Sequence, residues 1–128
     1  MKAIAYSVQA GEKEPIAVAN KKKHDITLIS NSLTLQTAEF ARGKKAVIVY
    51  IDDQVSEDVI KSIAEMGVKY IATRSSGCNH IDLEAAKRYG ICVSNVGEDL
   101  LDGIPEQQLP HILAEQTIVN LDKWQLFY

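Results

Sequence analysis

The chain has 128 residues, enough for one domain with a buried core. Its residues are 46% hydrophobic and 24% charged, and its formal net charge is −3. A net negative charge is not typical of proteins that bind nucleic acids or anionic membranes, so neither partner is expected. No segment approaches the roughly 18 apolar residues of a membrane span, and the N-terminus turns polar too soon for a signal peptide, so we expect a cytoplasmic protein with reduced cysteines.

Short apolar segments rich in β-branched residues recur along the chain and alternate with segments of helical pattern. Apolar side chains on nearly every position are typical of strands covered on both faces. The predicted strands are Ala3–Tyr6, Ile26–Ile29, Ala46–Ile51, Val68–Ala72 and Ile91–Ser94.

Two of the intervening segments carry clear helix start and stop signals. The first begins at the N-cap candidate Ser56 and ends at Gly67, with an apolar stripe between them. The second begins at Asp82 and also ends at a glycine, Gly90.

Weaker helical patterns cover residues 12–22 and 35–42, and Pro15 fits only in the first turn of the former. Residues 97–108 are acidic and interrupted by Gly and Pro, which indicates a connector. A long C-terminal helix is predicted over residues 109–125, with a proline in its first turn.

The five alternations of strand and helix predict an α/β domain with a mainly parallel sheet. Right-handed crossovers favour a flavodoxin-like, doubly wound sheet of about five strands in the order 2-1-3-4-5, flanked by helices.

In a doubly wound sheet, ligands bind where loops leave the carboxyl ends of the strands. The loop after the fourth predicted strand, Arg74 to His80, is small, polar and flexible at Gly77, so its backbone N–H groups can approach an anion closely. The alternative is a tight strand-to-helix turn capped by Asn79, with no ligand.

Other polar residues assemble no catalytic set. Because neither a Gly-x-Gly-x-x-Gly nor a Gly-x-x-x-x-Gly-Lys-Ser/Thr motif is present, no cofactor site is predicted. The histidines and cysteines are too dispersed to indicate a metal site, and Cys78 acts as a nucleophile only if its thiolate is stabilised. The acidic pairs Asp52-Asp53 and Asp99-Asp102 are interpreted as caps and solvated loop charges.

Three sequence runs are specific enough to indicate a family. They are YIDD at residues 50–53, RSSGCNHIDLEAA at residues 74–86 and GICVSNV at residues 90–96. In these runs the chain resembles the D-2-hydroxyacid dehydrogenases, especially the fermentative D-lactate dehydrogenases. The resemblance implies an NAD-dependent oxidoreductase family whose substrate-binding (catalytic) domain has the flavodoxin-like fold. It also implies that Ser75, Ser76, Gly77 and Cys78 bind the carboxylate of a small 2-oxo or 2-hydroxy acid.

The chain departs from the family after Asn95-Val96. There the family continues Pro-x-Tyr-Ser-Pro, whereas this sequence has Gly97-Glu98-Asp99-Leu100. The family's inserted cofactor domain, with its Gly-rich loop and its catalytic arginine and glutamate, has no counterpart in these residues. We therefore expect residues 1–128 to form a single substrate-binding domain, in which 97–108 replace the inserted domain and 109–125 form the family's returning helix.

His111 is the one candidate catalytic residue. Pro110-His111 is similar to the Pro-His pair that supplies the family's acid/base. Aligning on residues 114–117 instead places His111 inside the returning helix or at the start of the interdomain helix. No catalytic residue is therefore assigned.

Three functions remain open, and none involves a nucleic acid or a membrane. The leading one is a truncated dehydrogenase-like domain that binds a 2-oxo or 2-hydroxy acid but holds no cofactor and is inactive alone. The second is a subunit of an NAD-dependent D-2-hydroxyacid dehydrogenase that a partner chain completes. The third is a self-associating regulatory or interaction module, present as a homo-oligomer.

Overall fold

Five short strands form one parallel sheet in the computed structural model, which describes residues 1–127. Tyr128, the last residue of the predicted domain 1–128, lies outside the described residues. The strands pair in the order β2-β1-β3-β4-β5, which confirms the predicted flavodoxin-like, doubly wound sheet. The strands are β1 (Lys2–Ala5), β2 (Asp25–Leu28), β3 (Ala46–Val49), β4 (Tyr70–Thr73) and β5 (Cys92–Ser94).

Four α-helices cover the two faces of the sheet: α1 (Ala10–Asn20), α2 (Glu57–Glu65), α3 (Leu83–Arg88) and α4 (Leu109–Phe127). Ser56 is the N-cap residue of α2 as predicted, although its side chain makes no capping hydrogen bond. The connector contains two short 3-10 helices, Glu98–Leu100 and Glu106–Gln108.

The two faces of the sheet have separate cores because successive strand residues point in opposite directions. Ile4 and Val47 lie on the face that packs against α2 and α3. Their neighbours Ala3 and Ala46 lie on the opposite face, with buried residues of α1 and α4. The sheet is therefore covered on both sides, as its almost uniformly apolar strands require.

The C-terminal helix α4 is docked at several points along its length. The ring of Trp124 stacks on that of Tyr70, with centroids 4.6 Å apart. Near the end of the helix, Asp122 accepts a 2.8 Å hydrogen bond from Lys23 and lies 2.7 Å from Nε2 of buried His24. These contacts place α4 on the face that α1 also covers.

Two of the weaker helix predictions need correction. Residues 35–42 contain a 3-10 helix, Thr37–Ala41, because local side-chain bonds such as Thr37 Oγ1 to the Ser32 carbonyl compete with α-helical bonding. Helix α1 begins at Ala10, so Pro15 lies in its second turn rather than its first. The helix begins two residues earlier than predicted because the Glu12 side chain accepts a 3.0 Å hydrogen bond from the backbone N–H of Gln9, which caps the first turn.

Candidate functional site

Polar residues gather at the carboxyl edge of the sheet, where four strands end. Ser7 follows β1, Asp53 follows β3, the loop Arg74–His80 follows β4, and Asn95 follows β5. Because the strands are parallel, all four chain segments meet at one edge, where doubly wound sheets bind ligands.

Hydrogen bonds hold the carbonyl groups of the loop after β4. The Oγ of Ser75 donates to the Gly77 carbonyl at 3.0 Å, and Asn95 Nδ2 donates to the Ser76 carbonyl at 2.6 Å. The backbone N–H of Val96 donates to the Ser75 carbonyl at 3.0 Å. Three successive carbonyl groups therefore face protein donors.

The N–H groups of the same loop are in the opposite situation. Within residues 1–127, the backbone N–H groups of Ser76, Gly77 and Cys78 donate to no protein acceptor. All three residues are half-buried. A loop with occupied carbonyls and free N–H groups presents a concentration of partial positive charge, which favours an anion.

Gly77 contributes space rather than an unusual backbone conformation. Its φ is not positive, so the expected flexibility at this residue is not what the turn requires. A Cβ built at Gly77 meets no atom within 4 Å. The missing side chain leaves the approach to the loop open.

The acid that organises the edge is Asp53, which is completely buried. Its carboxylate accepts hydrogen bonds from Ser7 Oγ at 2.6 Å, the Leu33 N–H at 2.9 Å and the Tyr50 N–H at 2.9 Å. The interpretation of Asp53 as a solvated loop charge is wrong, because its carboxylate is buried among these three donors, and it caps the backbone N–H groups of Leu33 and Tyr50. Its neighbour Asp52 is exposed, as that interpretation requires.

Arg74 is a second buried charge that sequence reasoning missed, at 1% exposure. Its Nε donates to Glu12 at 2.8 Å, and its Nη atoms donate to the carbonyls of Tyr6 and Ser7 at 3.1 and 3.2 Å. The guanidinium also lies over the Tyr50 ring, 5.4 Å from its centroid. Arg74 thus joins β4 to the segment after β1.

His80 lies between the loop and α3. Its Nε2 is 2.9 Å from Thr73 Oγ1, which is in turn 2.7 Å from Ser75 Oγ. Burial lowers the pKa of His80, although the negative charge of Asp53 opposes that shift. The helix cap is Asp82, which accepts a 3.0 Å bond from the Ala85 N–H, and not Asn79 as the alternative interpretation required.

The candidates for direct chemistry lack activating partners. His111 is the exposed third residue of α4, and its side chain forms no hydrogen bond or ion pair with the part of the chain that the structure describes. Burial raises the pKa of the Cys78 thiol, which disfavours the thiolate that a nucleophile needs. The structure therefore gives neither residue a catalytic environment.

Cavities lie at both ends of the sheet. One of about 270 Å³ borders the loop and is lined by residues that include Asn79, His80 and Asp82. A larger one, of about 550 Å³, lies at the amino ends of the strands beside Lys69 and Tyr70.

Among residues 1–127 no three His, Cys, Asp or Glu side chains are placed to hold a metal ion. None of the helices described is long and apolar enough to cross a membrane.

The fold is a doubly wound α/β domain with an N–H-rich loop at the carboxyl edge of its sheet. The family model for "D-isomer specific 2-hydroxyacid dehydrogenase, catalytic domain" matches residues 3–104. The chain belongs to this family, and the match covers its catalytic domain.

Curated relatives agree with this assignment. A D-specific alpha-keto acid dehydrogenase from Enterococcus faecalis is 47% identical over 70 residues, which cover 55% of this chain and 22% of the relative. The 2-hydroxyacid dehydrogenase homolog 1 of Schizosaccharomyces pombe is 35% identical over 119 residues, which cover 92% of this chain and 33% of the relative. The chain thus spans between about a fifth and a third of the length of these relatives.

Solved structures show the same relationship. The apo-structure of D-lactate dehydrogenase from Escherichia coli matches with a TM-score of 0.73 and 35% identity, covering 75% of this chain and 31% of that one. An NAD-complexed D-isomer specific 2-hydroxyacid dehydrogenase from Lactobacillus delbrueckii ssp. bulgaricus matches with a TM-score of 0.69 and 32% identity, covering 75% and 30%.

Proposed function

We propose that this domain binds the carboxylate of a small 2-oxo or 2-hydroxy acid, as the substrate-side domain of a D-2-hydroxyacid dehydrogenase. One observation carries the proposal: Ser76, Gly77 and Cys78 present free N–H groups while the neighbouring carbonyls are occupied. A carboxylate accepts such N–H groups in short, charge-assisted hydrogen bonds. The relatives named for keto acids and lactate bind ligands of this class.

A titration with pyruvate tests this site directly. We expect the backbone amide signals of Ser76, Gly77 and Cys78 to shift on binding. Gly77→Ala places a methyl group at the open approach to the loop and is expected to weaken binding about tenfold, the loss of roughly one strong hydrogen bond. Gly11→Ala is the matched control, because a Cβ at exposed Gly11 also meets no atom within 4 Å. Equal binding by both variants would contradict the proposal.

We propose further that these 128 residues do not transfer hydride by themselves. Hydride transfer needs a nicotinamide held beside the substrate and an acid/base within reach of it, and His111 has no carboxylate partner within residues 1–127. The cofactor of the full-length dehydrogenases of this family is NAD, as in the NAD-complexed relative from Lactobacillus delbrueckii ssp. bulgaricus. NADH oxidation with a panel of 2-oxo acids tests the proposal, and turnover above background would contradict it.

In the same proposal, residues 97–108 stand in place of the inserted domain and residues 109–125 form the returning helix. The stacking of Trp124 on Tyr70 supports this role for α4, because it fixes the helix to the sheet of the same domain. The second candidate function takes one of two forms: a subunit that a partner chain completes, or an interaction module that associates with a second copy of itself. It is favoured by Val18 and Val119, which are 58% and 38% exposed beside a groove of about 490 Å³.

Light scattering on the purified chain tests for a second copy, and co-purification of a nicotinamide-binding chain tests for a partner. A monomer that captures no such chain would contradict both forms of the second candidate. Both functions fit a reducing cytoplasm, in which the unbridged Cys78 and Cys92 stay reduced. Recovery of the chain from a secreted fraction with oxidised thiols would contradict that location.

A further inference from the structure

Three hydrogen bonds connect His80 to the loop, and the available hydroxyl protons indicate their direction. Ser75 has a single hydroxyl proton, which it donates to the Gly77 carbonyl at 3.0 Å. The 2.7 Å bond between Thr73 and Ser75 then takes its proton from Thr73, so the 2.9 Å bond between Thr73 and His80 takes its proton from Nε2–H. The chain of donors runs from His80 through Thr73 and Ser75 to Gly77.

The opposite direction satisfies fewer groups. If Ser75 donated to Thr73 and Thr73 to His80, the Gly77 carbonyl would lose its donor. The histidine proton would also move to Nδ1, which is buried and has no hydrogen-bond partner in the part of the chain described. The first direction leaves one group unpaired, the Nδ1 lone pair, whereas the second leaves two, the Gly77 carbonyl and an Nδ1–H. The first direction is therefore the stable one.

From this geometry we infer that His80 is a positioning residue, which fixes the carboxylate-binding loop by donating from Nε2–H into the chain Thr73–Ser75–Gly77. The carboxylate-binding role of the loop rests on the proposed function, whereas the direction of the hydrogen bonds does not depend on it. By holding the Gly77 carbonyl, the chain keeps that peptide turned so that the adjacent N–H groups stay free for a ligand. His80 acts through this loop and touches no reacting atom.

The tautomer of His80 is the first test. Long-range nitrogen–proton NMR correlations on the unliganded protein are expected to show a neutral ring protonated at Nε2. Protonation at Nδ1 would overturn the inference, because the chain of donors would then run the other way. This readout is independent of any ligand.

Variants of His80 and Thr73, the first two residues of this hydrogen-bond chain, provide the second test. His80→Leu removes the donor, whereas His80→Gln keeps an amide N–H at a similar distance along the side chain. Thr73→Val breaks the chain and Thr73→Ser preserves it. We expect His80→Leu and Thr73→Val to shift the amide signals of Ser76 and Gly77 and to weaken pyruvate binding about tenfold. His80→Gln and Thr73→Ser are expected to restore both, and Thr27→Val, on the exposed side of β2, serves as control.

A double variant tests whether the residues act as one unit. Adding Thr73→Val to His80→Leu is expected to cause little further loss, because either change already breaks the chain. Additive losses, or loop amides that do not respond to His80→Leu, would overturn the inference. If the amides respond but the unmodified protein does not bind pyruvate, the positioning role stands and the proposed function fails.

Discussion

The hydroxyl of Ser7 donates a 2.6 Å hydrogen bond to Oδ1 of Asp53, which joins the segment after β1 to the segment after β3. Ser7 has a φ of +58°, a conformation that non-glycine residues rarely adopt. Its carbonyl accepts from Arg74 and its N–H donates to Asn31, so each of its polar groups is held. Strain of this kind persists only where the surroundings impose it, and it is common at functional sites.

The stability of this edge depends on Asp53. Asp53→Ala leaves the buried N–H of Leu33 and the partly buried N–H of Tyr50 without an acceptor, and we expect it to lower the free energy of unfolding by about 3 kcal/mol. Asp52→Ala, at the exposed neighbouring position, is expected to cost less than about 0.5 kcal/mol. Urea unfolding measures both values, and similar costs for the two variants would show that Asp53 does not organise the edge.

The buried guanidinium of Arg74 allows a similar comparison. Arg74→Lys keeps the charge but loses the planar donors that reach Glu12 and two carbonyls, so we expect a loss of about 3 kcal/mol in unfolding free energy. Arg88→Lys changes an exposed ion pair whose side chains are 55% and 54% accessible, and its expected cost is below about 1 kcal/mol. Chemical denaturation measures both losses in unfolding free energy. A larger loss for Arg88→Lys than for Arg74→Lys would contradict a structural role for the buried guanidinium.

The docking of α4 depends on the stacked pair Tyr70 and Trp124. Trp124→Ala removes a partly buried ring, and we expect a loss of about 2 kcal/mol together with faster amide exchange in the helix. Leu126→Ala is the control, because Leu126 is 82% exposed. Unchanged exchange in the Trp124 variant would mean that the ring does not fix the helix to the sheet.

The contact between α4 and the chain near β2 is expected to depend on pH. Burial opposes ionisation of Asp122, but the hydrogen bonds and charges of Lys23 and His24 outweigh it and hold the pKa below its ordinary value of 3.8. The folded protein therefore keeps this carboxylate at a pH where the unfolded chain is already protonated. The contact stabilises the fold above about pH 4, and the stabilisation is lost as the pH falls through the folded pKa.

Asp122→Asn removes that contribution. The difference in unfolding free energy between pH 7 and pH 3 is expected to be smaller in the variant than in the unmodified protein. Because the Asp122 side chain is 35% exposed, we expect the effect to stay below about 1 kcal/mol. Asp102→Asn, in the exposed connector, is the control. An unchanged difference in the Asp122 variant would contradict a role for this carboxylate in acid stability.

The fold was predictable because local patterns and packing agree. The apolar runs and the stops at Gly67 and Gly90 indicate a parallel α/β sheet, and right-handed crossovers then favour the strand order 2-1-3-4-5. The sequence predicts an anion site in the loop after β4, because Arg74 to His80 is small and polar and follows a buried strand, and this stays a prediction. Its family resemblance then singled out Ser76 and Gly77, whose free N–H groups the structure shows.

Asp53 and Arg74 were not predictable as buried charges because partners such as Ser7 and Glu12 come from distant segments. Nothing local distinguishes Asp53 from the exposed Asp52, and Arg74 pairs with Glu12, which is 62 positions away. The 35–42 region failed for a different reason. Its apolar spacing suits a helix, but the threonine side-chain bonds that tighten it into a 3-10 helix are not visible in a hydrophobic pattern.

The most direct test of the account is to compare pyruvate with pyruvamide while recording the backbone amide signals of the whole chain. The two compounds share a keto group and a methyl group, and only pyruvate carries a carboxylate. We predict that pyruvate shifts the signals of Ser76, Gly77 and Cys78, while pyruvamide leaves them unchanged at the same concentration. Equal shifts with both compounds, or shifts confined to the cavity beside Lys69 and Tyr70, would contradict a carboxylate site in this loop.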